Sequence, residues 1–307
     1  MRNLNTYIDI LHKKGLYTCL QEACKVIQPI WWTTNKAVVE QILQERHYNY
    51  LKRQYGSYCQ NTDSETPTTT AQPKIIWLCW LQGLENAPKI VQKFVQSVKK
   101  YAPDYEIRLL TADNLFQYVT LPNFIIEKYN NRTISFTHFS NILRTCLLCE
   151  HGGIWIDATV LLTNKIPEYI TNQPLFFFQP SWLQNTKTIF SRWFIAAQPN
   201  HPLLKQTREL LFKYWEKHNI LKDYYLFHLL FAFVVTENPN NKKIFDTIPY
   251  VQNVDAHTLQ FKLDCIFTQS EWQNITQRSS IHKLTYKLRN SGIDNPNSYY
   301  QYIINSL

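Results

Sequence analysis

Residues 137–162 read THFSNILRTCLLCEHGGIWIDATVLL, and this stretch decides the fold. At about 100° per residue, its first half forms a helix with apolar side chains on one face and hydrogen-bonding side chains on the other. Its second half, from Ile154 to Leu162, is an apolar run typical of a strand, and Gly152-Gly153 separates the two. The stretch therefore predicts a helix over residues 135–150, a glycine turn and a strand over residues 154–162.

The polar face of the predicted helix carries unusual residues for a surface. Instead of Lys and Glu it has hydrogen-bonding groups and a single arginine, namely Thr137, His138, Ser140, Asn141, Arg144 and Thr145. Such a face suits the wall of a cleft. In the strand, Asp157 is costly to bury without a partner. It is either a structural aspartate held by Arg144 or a ligand-binding aspartate.

Strands and helices alternate on the N-terminal side of this stretch. The run KIIWLCW (74–80) predicts a buried strand, residues 87–101 have a helical apolar stripe, and YEIRLL (105–110) predicts a second strand. Shorter helices are predicted around 113–119 and 123–129. Strands alternating with helices predict an α/β fold with a parallel sheet, in which ligands bind at the carboxyl ends of the strands.

Three segments are expected along the chain. Residues 1–55 have helical periodicity, residues 56–73 are rich in Ser, Thr and Pro and predict a linker, and residues 74–307 form the α/β domain. The first segment has two interpretations. It is either an interfacial amphipathic element at an anionic membrane or a helical flap packed on the main domain.

Composition excludes several classes of protein. The 307 residues carry a net charge of +9 but only six glycines, none spaced as in a glycine-rich dinucleotide fingerprint or a P-loop. The positive charge favours an anionic partner such as a lipid surface or a phosphorylated small molecule. No run of five like charges and no nucleic-acid-binding motif occurs, so we do not expect a nucleic acid partner.

The location of the protein is also an expectation from composition. The first residues lack an apolar signal stretch, no apolar run approaches the roughly 18 residues that span a bilayer, and the seven cysteines form no disulfide framework. These features predict a cytoplasmic protein, with peripheral contact at the inner face of the cell membrane as a further expectation.

Several motifs together resemble one family. FSNILR (139–144), GGIWIDAT (152–159), KIIW (74–77), WLQG (80–83), WFIAA (193–197), DYYLFH (223–228) and IHKLT (281–285) are similar to bacterial capsular polysaccharide synthesis proteins. These are DXD-related glycosyltransferases similar to α-mannosyl- and α-galactosyltransferases. The resemblance covers roughly residues 73–287. It implies a GT-A-like, Rossmann-type nucleotide-sugar-binding domain with a mostly parallel sheet.

The resemblance also implies an activity and a site. The activity is retaining transfer of a hexose from a nucleotide-diphosphate sugar, foremost a UDP-sugar, to a bacterial surface polysaccharide or a lipid-linked oligosaccharide acceptor. The residues expected to bind the donor are Trp77, Trp80, Gln82, Gly83, His138, Asn141, Arg144, Gly152, Gly153, Asp157, Thr159 and Lys283. The two tryptophans are alternatively core residues, and only one of them is expected to line the cleft. Asp157 and Asp223 are the expected catalytic carboxylates; Asp223 is alternatively the N-cap of the apolar helix that follows.

Two departures from the family pattern weaken the implied metal site. The second aspartate of the motif is Thr159, and the usual helix aspartate is Asn141. A divalent Mn²⁺ or Mg²⁺ would therefore depend on Asp157, with His282 as the candidate second ligand; His282 is alternatively a surface residue. The departures keep open the hypothesis of a non-catalytic nucleotide-sugar or glycan-binding protein. A third hypothesis, a membrane-docked scaffold of a capsule assembly complex, uses the N-terminal segment.

Overall fold

A computed structural model of the chain describes residues 36–60, 72–181, 187–288 and 295–306, with single residues at 8, 11, 16, 19, 20 and 23. The strands are β1 (Ile75–Cys79), β2 (Glu106–Leu110), β3 (Gly153–Ile156), β4 (Val160–Leu162), β5 (Leu175–Phe177), β6 (Phe194–Ala197) and β7 (Ile281–Lys283). The helices are α1 (Lys36–Gln60), α2 (Lys89–Tyr101), α3 (Asn123–Asn130), α4 (Phe136–Glu150), α5 (Glu168–Thr171), α6 (Pro202–Lys217), α7 (Leu226–Thr236), α8 (Pro239–Asp246), α9 (Val254–Thr258), α10 (Gln269–Arg278) and α11 (Tyr299–Ser306).

The central sheet has the strand order β2-β1-β3-β6-β5. The strands β2, β1 and β3 pair in parallel, whereas β6 runs antiparallel to both β3 and β5. Four of the five strands therefore point the same way. The predicted α/β class with a mostly parallel sheet is confirmed.

The predicted strand over residues 154–162 is two strands. The first, β3, ends at Ile156 in the central sheet, and β4 pairs with β7 in a separate antiparallel sheet. Between them, the N–H of Val160 donates to the carbonyl of Asp157 at 2.9 Å, which closes a turn. The expectation of one continuous strand was wrong because the partner of β4 lies far along the chain.

Side chains of β1 and β3 alternate between two cores, as the period of a strand requires. Trp77 and Trp155 face the core that contains α4, α6 and α7, whereas Ile76 and Ile154 face Val95 on α2. The helix α7 is apolar at every position except His228 and Thr236 and is buried at every position but its last, as expected for a helix inside a core.

The helix α1 packs on this first core through Tyr48, Leu51 and Tyr55. It continues past residue 55 to Gln60, so the first residues of the predicted linker are helical. Residues 61–71 and most of the residues before Lys36 lie outside the described residues, and with them most of the expected amphipathic element in residues 1–55.

Candidate functional site

Asp157 lies at the carboxyl end of β3. The chain turns there, because the N–H of Asp157 donates to the carbonyl of Trp193 at 2.9 Å and the chain then leaves the central sheet for β4. The carboxyl ends of parallel strands are where α/β folds bind ligands. The break in the predicted strand therefore places the aspartate at the edge where ligands are expected.

Asp157 opens into a cavity of about 470 Å³, which we call the strand-end cavity. This volume lies in the range of small-molecule sites, roughly 300–1,000 Å³. Three separate parts of the chain join Asp157 around it: the segment before β6, the start of α7, and the region from α9 to β7. The lining residues are Asp157, Pro180, Thr188, Phe190, Ser191, Arg192, Trp193, Tyr224, Tyr225, His228, Asn253, His257 and Lys283.

Arg144 holds the Asp157 carboxylate from behind. Its Nη1 lies 3.2 Å from Oδ1 of Asp157, and the Trp155 indole donates to the same oxygen at 2.9 Å. The Arg144 side chain is only 3% exposed and Asp157 is 25% exposed. The guanidinium also donates to the carbonyl and hydroxyl of Ser140 and to the carbonyl of Arg192. Arg144 is therefore a positioning residue, whereas Asp157 reaches the cavity.

The charges around Asp157 keep it ionised. Burial acts to raise its pKa, but Arg144, Lys283, the Trp155 hydrogen bond and Arg192 outweigh it, so the pKa lies below its ordinary value. The ammonium of Lys283 donates to the hydroxyl of Thr159 and to the carbonyl of Leu284. The cation thus contacts Thr159, the residue at the position of the expected second aspartate.

Arg192 is the second exposed cation of the cavity. One of its terminal nitrogens donates to the Tyr224 hydroxyl at 3.0 Å, and the guanidinium carbon lies 5.3 Å from the centroid of the Tyr224 ring, within cation–π distance. Its other terminal nitrogen is buried with no hydrogen-bond partner among the described residues. With Arg144 and Lys283, three cations face the single carboxylate of Asp157. This excess favours an anionic ligand.

Neutral polar groups beside the cavity also lack partners. Among the described residues, Nδ1 of His228, which lines the cavity, and Nε2 of His138, whose ring meets Tyr224 edge-on at 5.8 Å, are buried without a hydrogen bond. Both amide atoms of Asn141, on the same helix as His138, are also unpaired, but Asn141 does not line the cavity. Burial, followed by the charge of Arg192, lowers the pKa of His138 to about 4 and that of His228 well below its ordinary value. Unpaired buried polar groups cost roughly 1–3 kcal/mol each. The unpaired nitrogens of His228 and Arg192 belong to residues that line the cavity, which favours a polar ligand there.

Three predicted donor-binding residues lie at the opposite end of the strand. Gly152 immediately precedes β3 and Gly153 begins it, with φ of 67° and 90°, and a Cβ on Gly153 would lie 2.5 Å from the carbonyl oxygen of Ile75. The indole of Trp77, 0% exposed, donates to the Gly152 carbonyl at 2.9 Å. We therefore correct these assignments: the glycines allow close packing of protein backbone, and Trp77 is a core residue.

Trp80, Gln82 and Gly83 follow β1 at the same sheet edge as Asp157, but they do not line the strand-end cavity. The Trp80 ring meets Tyr286 edge-on at 5.5 Å, and its indole nitrogen is buried without a partner among the described residues. Their role in binding a donor stays a prediction.

Asp223 is not the N-cap of α7, because Tyr225 holds that position. Its Oδ1 accepts from the N–H of Tyr225 at 2.7 Å, within the turn that leads into α7. Its Oδ2 lies 2.7 Å from Nδ1 of His47 on α1. Both oxygens are engaged and neither lines the strand-end cavity, so the expected catalytic role of Asp223 is corrected to a structural one.

The expected metal ligands do not come together. His282 is fully buried on β7, bonds the Thr163 hydroxyl through Nε2 at 3.1 Å, and does not line the cavity. The alternative of a surface histidine is also wrong. Across the described parts of the chain, no three His, Cys, Asp or Glu residues form a metal-binding group. Asp157 is already paired with cations, so these residues do not fit a divalent metal.

Several lining residues were missed from the sequence as site residues. Tyr224, Tyr225, Asn253 and His257 come from loops and short helices whose positions only the fold determines. His228 carried a readable signal, because it is the single histidine inside the most apolar helix of the chain. A polar group in such a helix is costly unless it serves a site.

No described helix is both long and apolar enough to span a lipid bilayer.

In sequence, the chain matches one protein family and two individual relatives described below. The family described as "Capsular polysaccharide synthesis protein" matches residues 27–303. The O-glycosyltransferase braB of Annulohypoxylon truncatum is 27% identical over 169 residues, 50% of this chain and 40% of the relative. The glycosyltransferase afumC of Aspergillus fumigatus is 25% identical over 168 residues, 49% of this chain and 42% of the relative. The chain thus spans about two fifths of the length of these relatives.

Solved structures match more distantly. The PaToxG glycosyltransferase aligns with a TM-score of 0.42 and 15% identity, covering 79% of this chain and 95% of that one. The galactosyltransferase LgtC, solved with donor and acceptor sugar analogues, aligns with a TM-score of 0.41 and 12% identity, covering 76% and 96%.

Proposed function

The chain belongs to the capsular polysaccharide synthesis protein family, and from this premise we propose that it is a glycosyltransferase. It transfers a hexose from a nucleoside diphosphate sugar, with UDP-sugars as the first donors to test, to a glycan acceptor. The names of both fungal relatives support the reaction class. The strand-end cavity is the proposed donor site.

One observation carries the proposal. A small-molecule cavity at the carboxyl edge of the sheet holds a single ionised carboxylate, Asp157, among the cations Arg144, Arg192 and Lys283. Cleaving a nucleotide sugar releases a diphosphate, and its developing negative charge must be stabilised in the transition state. A cationic cavity supplies this stabilisation from groups already in place.

The proposed roles follow from where each side chain lies. Arg192 and Lys283 neutralise the departing diphosphate, because both line the cavity and Arg192 has an unpaired nitrogen. Asp157 accepts hydrogen bonds from donor hydroxyl groups, since its carboxylate is ionised and partly exposed. Arg144 acts through Asp157 by fixing its orientation. A metal ion has no part in this assignment.

The acceptor and the stereochemistry are finer proposals taken from the family resemblance. We propose a growing surface polysaccharide or a lipid-linked oligosaccharide as the acceptor, with retention of the anomeric configuration. NMR of the product formed from a defined donor reads the configuration of the new bond directly, and an inverted product contradicts retention.

The test of the donor site uses a panel of UDP- and GDP-sugars. Release of nucleoside diphosphate is measured together with calorimetric binding of UDP. For Asp157→Asn we expect turnover to fall about 10²- to 10³-fold, the usual effect of losing one transition-state contact. The amide still accepts hydrogen bonds from Trp155 and Arg144, so the fold is retained.

Asp246→Asn is the matched control, because Asp246 is an exposed carboxylate paired with Lys242 on the surface. It should leave turnover unchanged. If Asp157→Asn and Asp246→Asn turn over the donor equally well, the assignment of Asp157 is wrong.

A non-catalytic nucleotide-sugar-binding protein is the second candidate. It is favoured by Lys283, whose ammonium binds Thr159 where a catalytic motif would place its second aspartate. Calorimetric binding of UDP with no diphosphate release, across the whole panel and with glycan acceptors present, would support this candidate over transfer.

A further inference from the structure

A second cavity of about 580 Å³ lies between α1 and α7, and we call it the α1–α7 cavity. Its polar wall comes mainly from α1, with Gln41, Gln44, Glu45 and Tyr48, and from Lys187 and Glu237 opposite. The helix α1 lies outside the segment expected to form the catalytic domain. The cavity therefore gives this helix a role beyond packing.

The two cavities adjoin each other along α7. His228 lines the strand-end cavity, and Ala232 and Thr236 line the α1–α7 cavity. Residues four apart lie on one face of a helix, about 6 Å apart along its axis. The two cavities are therefore neighbours on a single face of α7.

The segment before β6 forms a wall shared by both cavities. Lys187 and Ile189 line the α1–α7 cavity, whereas Thr188 and Phe190 line the strand-end cavity. This alternation is the two-sided pattern of extended backbone. A ligand in one cavity is thus separated from a ligand in the other by one thin strip of chain.

The chemistry of the α1–α7 cavity differs from that of its neighbour. Its one lysine, Lys187, is paired with Glu45 at 3.2 Å and lies over the Tyr48 ring. Glu237 accepts from the Tyr48 hydroxyl at 2.9 Å and pairs with Lys52 at 2.9 Å. No unpaired cation remains among the described lining residues, so the cavity does not suit a diphosphate. Its amides and carboxylates are the donors and acceptors that hydroxyl groups need.

We propose that the α1–α7 cavity binds the acceptor, an uncharged saccharide rich in hydroxyl groups, beside the donor in the strand-end cavity. This inference rests on the proposed transfer reaction. The cavities lie on either side of the 187–190 segment, so an acceptor held in the α1–α7 cavity reaches the donor by extending past this segment. The difference in charge between the two cavities favours the saccharide in one and the diphosphate in the other.

Saturation-transfer NMR with maltotriose, lactose and mannobiose tests the proposal in the absence of any donor. The variants are Gln41→Ala and Glu45→Gln, both at exposed positions of α1, so the fold is preserved. We expect saccharide affinity to fall about tenfold or more in each, the effect of losing a hydrogen bond to a charged or amide group. Calorimetric UDP binding should stay unchanged.

Gln54→Ala is the matched control, because Gln54 lies on the same helix but bonds Lys217 outside the cavity. It should bind saccharide as the unaltered protein does. No saccharide signal in the unaltered protein, equal signals in all variants, or loss of UDP binding in Gln41→Ala would overturn the proposal. Failure of the donor site gives a different result, namely no UDP binding with saccharide binding intact.

Discussion

The two ends of β3 are four residues apart and serve different purposes. At its amino end, Gly152 and Gly153 let the backbone approach Pro199 and Ile75, and the Trp77 indole locks the turn. At its carboxyl end, Asp157 enters a cavity among cations. One continuous sequence motif thus contains glycines that serve backbone packing and an aspartate that serves ligand binding. Substitutions at one end should change stability, and substitutions at the other should change ligand binding.

The largest effect is expected at the amino end. In Gly153→Ala, the new Cβ would lie 2.5 Å from the Ile75 carbonyl oxygen at a φ of 90°. Strain of this kind costs about 3 kcal/mol, so the free energy of unfolding should fall by that amount or more in urea denaturation. Gly56→Ala is the control, since a Cβ there meets nothing within 4 Å. If the two variants are equally stable, the packing role assigned to the glycine pair is wrong.

The next effect is expected at the carboxyl end. In Arg192→Ala, UDP affinity measured by calorimetry should fall about 10- to 100-fold, because a hydrogen bond to a charged group is lost. The free energy of unfolding should change little, since one guanidinium nitrogen is already unpaired. Arg278→Ala is the control, being a surface arginine paired with Asp255. Unchanged UDP affinity in Arg192→Ala would show that Arg192 does not bind the ligand.

A pH dependence should follow from His138 beside the cavity. Burial, then the charge of Arg192, lowers its folded-state pKa to about 4. Between about pH 6.5 and pH 4 the unfolded chain therefore binds the proton and the folded chain does not, so stability falls as the pH falls. This histidine should account for about 2 kcal/mol of unfolding free energy lost between pH 7 and pH 5.

Urea denaturation of His138→Gln at both pH values measures that contribution, because the glutamine does not titrate. The variant should lose less stability on acidification than the unaltered protein does. An identical pH slope in both proteins would contradict the lowered pKa.

The smallest effect is expected from removing divalent metal. Asp157 is paired with Arg144, and Lys283 donates to Thr159, so UDP binding should not depend on a metal ion. Calorimetry in EDTA and in Mn²⁺ should give UDP affinities within about twofold of each other, since a metal coordinating the diphosphate would change them far more. A strong requirement for Mn²⁺ would show that the cations alone do not neutralise the diphosphate.

The sequence predicted the local elements better than the site. The helix over residues 135–150 and the strand beginning near Ile154 were readable because apolar periodicity is a local property. The break after Ile156 was not, because β4 is defined by pairing with β7 rather than by its own residues. The pairing of Asp223 with His47 joins residues 176 positions apart, so the catalytic interpretation had no local contradiction.

The predicted site therefore shares only two residues with the lining of the observed cavity. Asp157 and Lys283 line it, and Arg144 supports it, as their residue types suggested. Tyr224 and His257 line it only because the start of α7 and the region of α9 converge there. The glycine pair was placed with the ligand because a motif was treated as one functional unit, although its two halves lie at opposite edges of the sheet.

The pairing of β4 with β7 has a consequence for how the protein folds. Lys283 reaches Thr159 across 124 residues of chain, through a two-stranded sheet separate from the central one. Contacts between residues so distant in sequence require closure of a long loop and form slowly. The central sheet around β1 and β3 can therefore form first, and Lys283 takes its place at the cavity last. Refolding followed by tryptophan fluorescence should be complete before ligand-binding competence returns.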